Sequence, residues 1–142
     1  MRLPHFRFES PRSVAEAAEL LAGAPAGEAM LVAGGTDLLP NMKRRQQTPR
    51  TLIGLRRVAE LRQISNGSGL RIGAGVTLAE LIRLRQGYGG QVRLRQGHGG
   101  LDEYRALWQA AAYVATPQLR NMGTVGGNLC LDTRCNYYDQ NY

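Results

Sequence analysis

The chain has 142 residues, 43% of them hydrophobic, and a formal net charge of +7. That length and apolar content suit one domain with a real core or two small lobes, and they exclude disorder throughout. There is no run of about 18 apolar residues to span a membrane, and the N-terminal stretch lacks the apolar centre of a signal peptide, so a cytoplasmic protein with no membrane association is expected.

Two cysteines, Cys130 and Cys135, lie close together. They are too few for a disulfide framework and too near each other to close a useful loop, so free thiols or metal ligands fit better. Four arginines, Arg83, Arg85, Arg93 and Arg95, fall in one repeat. Without them the positive excess is about +3, an ordinary value, and no nucleic-acid partner is expected.

Taken in order, Ser13-Val-Ala-Glu16 matches a capping box, in which the hydroxyl and the carboxylate satisfy orphan amides at a helix start. Val14, Ala17, Ala18 and Leu21 recur at helical spacing, and Gly23 and Pro25 end the run. Residues 29–33 form a short apolar run, read as a buried strand, that ends in Gly34-Gly-Thr-Asp37 before Leu38 and Leu39. A strand, a double-glycine turn and a Thr or Asp cap bring free backbone amides to one point, an anion-binding geometry whose alternative is an ordinary strand-to-helix turn. Lys43, Arg44 and Arg45 read as a solvated face, with phosphate contact as the alternative. Residues 51–55 read as another strand, so 1–56 form a small α/β lobe.

A second lobe, 57–142, is read as α+β. Residues 61–64 and 70–72 flank Ser65-Asn-Gly-Ser68, the signal of a β-hairpin. Thr77-Leu-Ala-Glu80 is a second capping box and opens a helix through Leu81 and Ile82. There follows a tandem period of ten over 83–100, whose first eight positions agree except for Tyr88 against His98. Its glycines oppose helix and strand, and it reads as a solvent-exposed insertion; the alternative is an Arg/Gly/Tyr segment for single-stranded nucleic acid. His98 is then a repeat variant, and His5 reads as structural. Residues 103–114 present Ala106, Leu107, Ala110, Ala111 and Val114 on one helical face, with Trp108 and Tyr113 as partly buried packing. Pro117 ends that helix near Thr116.

The densest stretch runs from Ala115 to Cys135, with a Thr-Pro turn, three glycines and both cysteines. Within it, Arg120-Asn-Met-Gly-Thr-Val-Gly-Gly-Asn128 has neither G-x-G-x-x-G nor Walker spacing, so its chemistry must come from loop amides and the Thr and Asn side chains. Glycine doublets let amides converge on an oxyanion with no Cβ in the way. Two such loops could clasp a diphosphate from two sides.

Leu31-Val-Ala-Gly-Gly-Thr-Asp-Leu-Leu followed much later by Ala115-Thr-Pro-Gln-Leu-Arg-Asn-Met-Gly-Thr-Val-Gly-Gly-Asn resembles the FAD-binding subunits of molybdenum hydroxylases, the group that includes xanthine and carbon monoxide dehydrogenases. The resemblance runs from about Phe6 to Tyr142 and is interrupted by the ten-residue repeats. It implies an α+β fold of the PCMH-type FAD-binding domain, with a small N-terminal α/β lobe, a larger α+β lobe and FAD between them. It also implies cofactor contacts from Val32, Ala33, Gly34, Gly35, Thr36, Asp37 and Leu38, and from Thr124, Val125, Gly126, Gly127 and Asn128. Implied partners are a molybdenum-cofactor subunit and a [2Fe-2S] subunit, in a complex that acts as an oxidoreductase. The cofactor carries the redox chemistry, so no catalytic nucleophile or acid–base pair is expected.

The segment Leu129-Cys-Leu-Asp-Thr-Arg-Cys-Asn-Tyr-Tyr-Asp-Gln is similar to the β subunits of 4-hydroxybenzoyl-CoA reductases, which implies an additional [4Fe-4S] cluster with Cys130 and Cys135 among its ligands. Such a cluster takes four thiolates, and this sequence supplies two. The sibling reading is a xanthine, aldehyde or carbon monoxide dehydrogenase type of flavin subunit without that cluster; a truncated, inactive fragment is the third. Where many members place an acidic residue near the flavin, Tyr137 stands here between Asp132 and Asp139, and none of them is assigned that role. Family members continue with further strands and another domain, so the second lobe is expected to be incomplete and the 142-residue form to bind FAD weakly or not at all.

Overall fold

A computed structural model describes residues 2–66, 69–85 and 104–131. The N-terminal part is a three-stranded, all-parallel sheet of β1 (Arg7–Glu9), β2 (Ala29–Val32) and β3 (Thr51–Gly54), in the order β1-β3-β2. Helices α1 (Val14–Ala22) and α2 (Leu38–Lys43) connect the strands. Parallel pairing demands such crossovers, because a tight turn cannot return the chain to the same end of the sheet. Central β3 supplies Leu52 and Ile53, both buried, and Leu38 and Met42 of α2 pack with Leu52 to form the core on one face.

The first capping box forms in its hydroxyl half, with the carboxylate shifted by one residue. Ser13 Oγ accepts from the Glu16 amide at 3.1 Å, while the Glu16 carboxylate reaches back to the Arg12 amide at 2.7 Å. Strand β1 escapes the sequence patterning. Its Arg-Phe-Glu alternation covers only three residues, too short to mark a strand by itself, and it is fixed by register against β3, Phe8 opposite Leu52.

The chain then passes through two 3-10 turns, Leu55–Arg57 and Ala59–Arg62, into an antiparallel hairpin of β4 (Ile64–Asn66) and β5 (Leu70–Ile72). The hairpin is where the sequence places it, but its first strand lies later than 61–64. Leu61 is held in the 3-10 turn by its amide on the Val58 carbonyl, at 3.2 Å, and Ser65 and Asn66 are paired in the strand instead of turning. The turn residues 67 and 68 lie outside the described residues.

Helix α3 (Leu78–Arg85) starts from the second capping box, which is fully reciprocal. The Glu80 amide donates to Thr77 Oγ1 at 3.1 Å and the Thr77 amide donates to Glu80 Oε2 at 2.8 Å. It packs on α4 (Arg105–Tyr113) around a second core of Val76, Leu78, Leu81, Leu84, Trp108 and Ala111. Trp108 is 2% exposed, a core residue, whereas Tyr113 is 88% exposed and does not pack as expected. Helix α4 ends at Tyr113, earlier than Thr116, with Val114 already extended and Ala115 left-handed, and Pro117 instead opens α5 (Pro117–Arg120), because proline's missing amide and fixed φ suit the first helical position. The described chain closes with α6 (Val125–Leu129). The repeat lies outside the described residues beyond Arg85. No helix among the described residues is long and apolar enough to cross a membrane.

Candidate functional site: a cleft between two glycine loops

The turn after β2 and the turn before α6 meet although they are far apart in sequence. Gly34 lies so close to the Met122 carbonyl that a Cβ there would overlap it, and the Gly123 nitrogen would be 3.1 Å away. The second loop is also tied to the start of α3. Leu78 N–H donates to the Gly123 carbonyl at 2.9 Å and Val125 N–H to the Val76 carbonyl at 2.8 Å, an isolated antiparallel bridge centred on Thr77 and Thr124. Thr124 is buried and caps α6, its Oγ1 accepting from the Gly127 amide at 3.0 Å. Asn128 turns back so that its Nδ2 donates to the Thr124 carbonyl at 2.9 Å.

Between the loops runs a cleft of about 540 Å³. Val32, Ala33, Gly34, Gly35, Thr36, Asp37 and Leu38 line one side, and Thr124, Gly126, Gly127 and Asn128 line the other. Val125 is the exception: its side chain turns toward the second core. Sequence reasoning missed the remaining wall. Val14, Ala17, Ala18 and Leu21 of α1 border the cleft with Leu31, as do Leu55, Leu61, Ala74 and Gly75. The apolar stripe of α1 was visible, but a stripe facing a cleft and one facing a core have the same period. Val14, Leu21 and Leu31 remain substantially exposed.

The two loops differ in what they can donate. Among the described residues, the amides of Gly34, Gly35 and Thr36 make no hydrogen bond to another residue. Those of Val125, Gly126, Gly127 and Asn128 are all engaged, on the Val76 carbonyl, the Ala74 carbonyl, Thr124 Oγ1 and the Thr124 carbonyl. Gly35 has φ +70, the left-handed conformation that glycine enters freely. Gly126 packs on Ala74, whose Cβ would lie 2.6 Å from a Cβ at 126. Thus the first loop offers unpaired donors, and the second offers a close, satisfied backbone surface. The expected side-chain cap at the start of α2 is absent: Asp37 is already in the helical region, and its Oδ2 accepts from Asn41 Nδ2 at 3.2 Å instead.

Behind the junction lies a smaller hollow of about 240 Å³, bordered by Arg56, Arg62, Glu80 and Arg83. Arg62 and Glu80 form an ion pair at 2.6 Å. Partial burial raises the Glu80 pKa, but the Thr77 amide, the Arg62 guanidinium and the Thr77 hydroxyl outweigh it and leave the carboxyl below its ordinary value. Lys43, Arg44 and Arg45 are exposed, as a solvated face would be.

Cys130 follows α6 as an exposed free thiol and borders the cleft with Leu131. Cys135, Asp132, Tyr137 and Asp139 lie outside the described residues. Among the described residues no group of three or more His, Cys, Asp or Glu side chains is placed to hold a metal ion.

A family described as the FAD binding domain in molybdopterin dehydrogenase matches residues 4–136. The chain belongs to this family. It is 40% identical over 127 residues to the carbon monoxide dehydrogenase medium chain of Hydrogenophaga pseudoflava, an alignment covering 89% of this chain and 39% of that one. It is 36% identical over 125 residues to the xanthine dehydrogenase FAD-binding subunit of Escherichia coli O157:H7, covering 87% of this chain and 38% of the relative. Among solved structures, carbon monoxide dehydrogenase from Hydrogenophaga pseudoflava superposes with a TM-score of 0.73 at 38% identity, covering 91% of this chain and 40% of that chain. Quinoline 2-oxidoreductase from Pseudomonas putida 86 gives 0.72 at 34% identity, with the same two coverages. The chain therefore has the mixed α+β fold of PCMH-type FAD-binding domains, and FAD is the cofactor of its family. It spans about two-fifths of the length of the curated relatives it matches.

Proposed function

We propose that this chain is the FAD-binding part of the flavoprotein subunit of a molybdenum-containing dehydrogenase, and that the cleft between its glycine loops, formed by lobes at 1–56 and 57–142, holds the cofactor. The observation that carries this reading is the unpaired donor set of Gly34, Gly35 and Thr36 opening into a large, apolar-walled cleft. A dinucleotide needs that combination, amides for its diphosphate and apolar surface for its rings. The residues present fit FAD.

The first loop would receive the diphosphate through those three amides, with no Cβ at Gly34 or Gly35 to hold the anion away. Thr124, Gly126, Gly127 and Asn128 would form the opposite wall, held rigid by their own hydrogen bonds. The apolar side chains of α1 and Leu31 would exclude water along the cleft, which strengthens each amide contact. When bound, FAD supplies one- and two-electron transfer, and the protein positions it and tunes its potential. The partners we propose are a molybdenum-cofactor subunit and a [2Fe-2S] subunit; the carbon monoxide dehydrogenase medium chain supports this by the multi-chain enzyme its name implies.

Titration of the protein with FAD, ADP and riboflavin tests the reading through flavin fluorescence and calorimetry. ADP is expected to compete with FAD, and riboflavin to bind much more weakly. Riboflavin binding as tightly as FAD, or ADP that fails to compete with FAD, would overturn it.

A 4-hydroxybenzoyl-CoA reductase-like subunit is the finer reading, placed second. What favours it is the exposed Cys130 thiol at the cleft border, with Cys135 close in sequence. Iron and sulfide analysis of anaerobically purified protein tests it: about four of each per chain supports the cluster, and none shows that Cys130 and Cys135 do not hold it by themselves.

A further inference from the structure

Between α4 and α5 the backbone makes a corner that its residue types do not favour. Ala115 has φ +47, in the left-handed region, where the Cβ crowds the backbone and alanine is disfavoured relative to glycine. The Arg120 side chain folds back over this corner. Its Nη1 donates to the Val114 carbonyl at 2.8 Å and to the Ala115 carbonyl at 3.1 Å, so one guanidinium nitrogen spans the strained residue. The Arg120 amide donates to the Thr116 carbonyl at 2.9 Å, closing the same corner from the main chain.

The corner leads directly into the second loop. The Leu119 carbonyl accepts from both the Met122 amide, at 3.1 Å, and the Gly123 amide, at 2.7 Å. Those bonds set the direction of the Met122 carbonyl, which faces Gly34, and of Thr124, which caps α6 beside the cleft. Without the corner, neither contact has a fixed approach.

We propose that Arg120 is a positioning residue for the cofactor cleft: by bridging the Val114 and Ala115 carbonyls it holds Ala115 left-handed, and this places the second glycine loop against the first. The inference rests on the proposed flavin site for its functional readout, and the physical coupling between residues 115 and 120 can be read without it. A charged donor on two carbonyls at a strained residue is worth enough for its loss to shift an equilibrium about tenfold.

The test is a double-mutant cycle in the full chain with Arg120→Ala, Ala115→Gly and the pair, reading FAD affinity and the thermal midpoint. Arg120→Ala is expected to weaken FAD about tenfold and lower the midpoint, and Ala115→Gly alone to bind FAD as the wild type does. In the pair, glycine adopts φ +47 without help, so most of the loss should be recovered. FAD binding by Arg120→Ala equal to wild type, or a pair no better than Arg120→Ala, would overturn the proposal. Should the wild type bind FAD too weakly to measure, the midpoint cycle still decides: recovery supports the corner, and its absence overturns it. If Arg120→Ala does not fold, Arg120→Lys carries the same cycle, with a smaller loss recovered by Ala115→Gly as support and an unrecovered loss as refutation.

Discussion

Gly34 and Met122 meet backbone to backbone, with no space between them for a Cβ on residue 34. This contact, with Gly123 beside Thr36, brings the turn after β2 against the second glycine loop. Gly34→Ala is expected to destabilise the fold by about 2–3 kcal/mol, since the obstacle is a carbonyl and cannot rotate away. Urea unfolding measures it. Gly69→Ala, where nothing lies within 4 Å of the added atom, should change stability by less than about 0.5 kcal/mol and serves as the control.

A second pair of residues divides the obstruction differently. At Gly126 an added Cβ would meet the Ala74 Cβ at 2.6 Å and the Ala74 carbonyl oxygen at 2.9 Å. Gly126→Ala should therefore weaken both stability and cofactor binding, and Ala74→Gly in the same chain should restore part of the loss. Full restoration would show that the side chain alone was the obstacle; none would assign it to the carbonyl.

The Glu80 carboxyl links the start of α3 to acid stability. Its pKa in the folded state is below the ordinary value, so the unfolded chain takes up its proton first as pH falls. The stabilisation is fully present above about pH 5, above the unfolded pKa of about 4.3, and is lost as pH falls through the folded value. The stability difference between wild type and Glu80→Gln should accordingly be greatest near neutrality and shrink below about pH 4. A difference that stays constant from pH 7 to pH 3 would contradict this.

Leu31 separates cofactor binding from folding. It borders the cleft and is 44% exposed, so Leu31→Arg removes little core. The expected result is FAD binding weakened tenfold or more with the unfolding midpoint within about 0.5 kcal/mol of wild type. Equal damage to both would place Leu31 in the core instead.

Much of the fold was legible because its signals are local. Thr77 with Glu80 is a capping box that the chain builds as written, Ser13 with Glu16 builds its hydroxyl half while the carboxylate takes the Arg12 amide, and Pro117 opens a helix for a reason internal to its own ring. What could not be read depends on neighbours distant in sequence. Strand β1 exists because β3 has an edge to pair with, and Leu61 leaves the hairpin because it belongs to a turn whose carbonyl serves the Gly75 amide. The glycines of the site show the same division. Their presence signalled close approach, but Gly34 and Gly126 are approached by Met122 and Ala74 of the same chain, and only the paired-donor pattern separates the loop with unpaired amides from the loop without.

The distance along the chain between Gly34 and Met122 also has a temporal meaning. The parallel sheet and its two crossover helices are complete in the chain by Gly54. At a synthesis rate of roughly 5–20 residues per second, Met122 emerges about 4–18 s after Gly34. Throughout that interval the three amides of the first loop face water with no opposite wall. The second wall of the binding site is thus made well after the first, and a flavin that arrives early meets only half of the site.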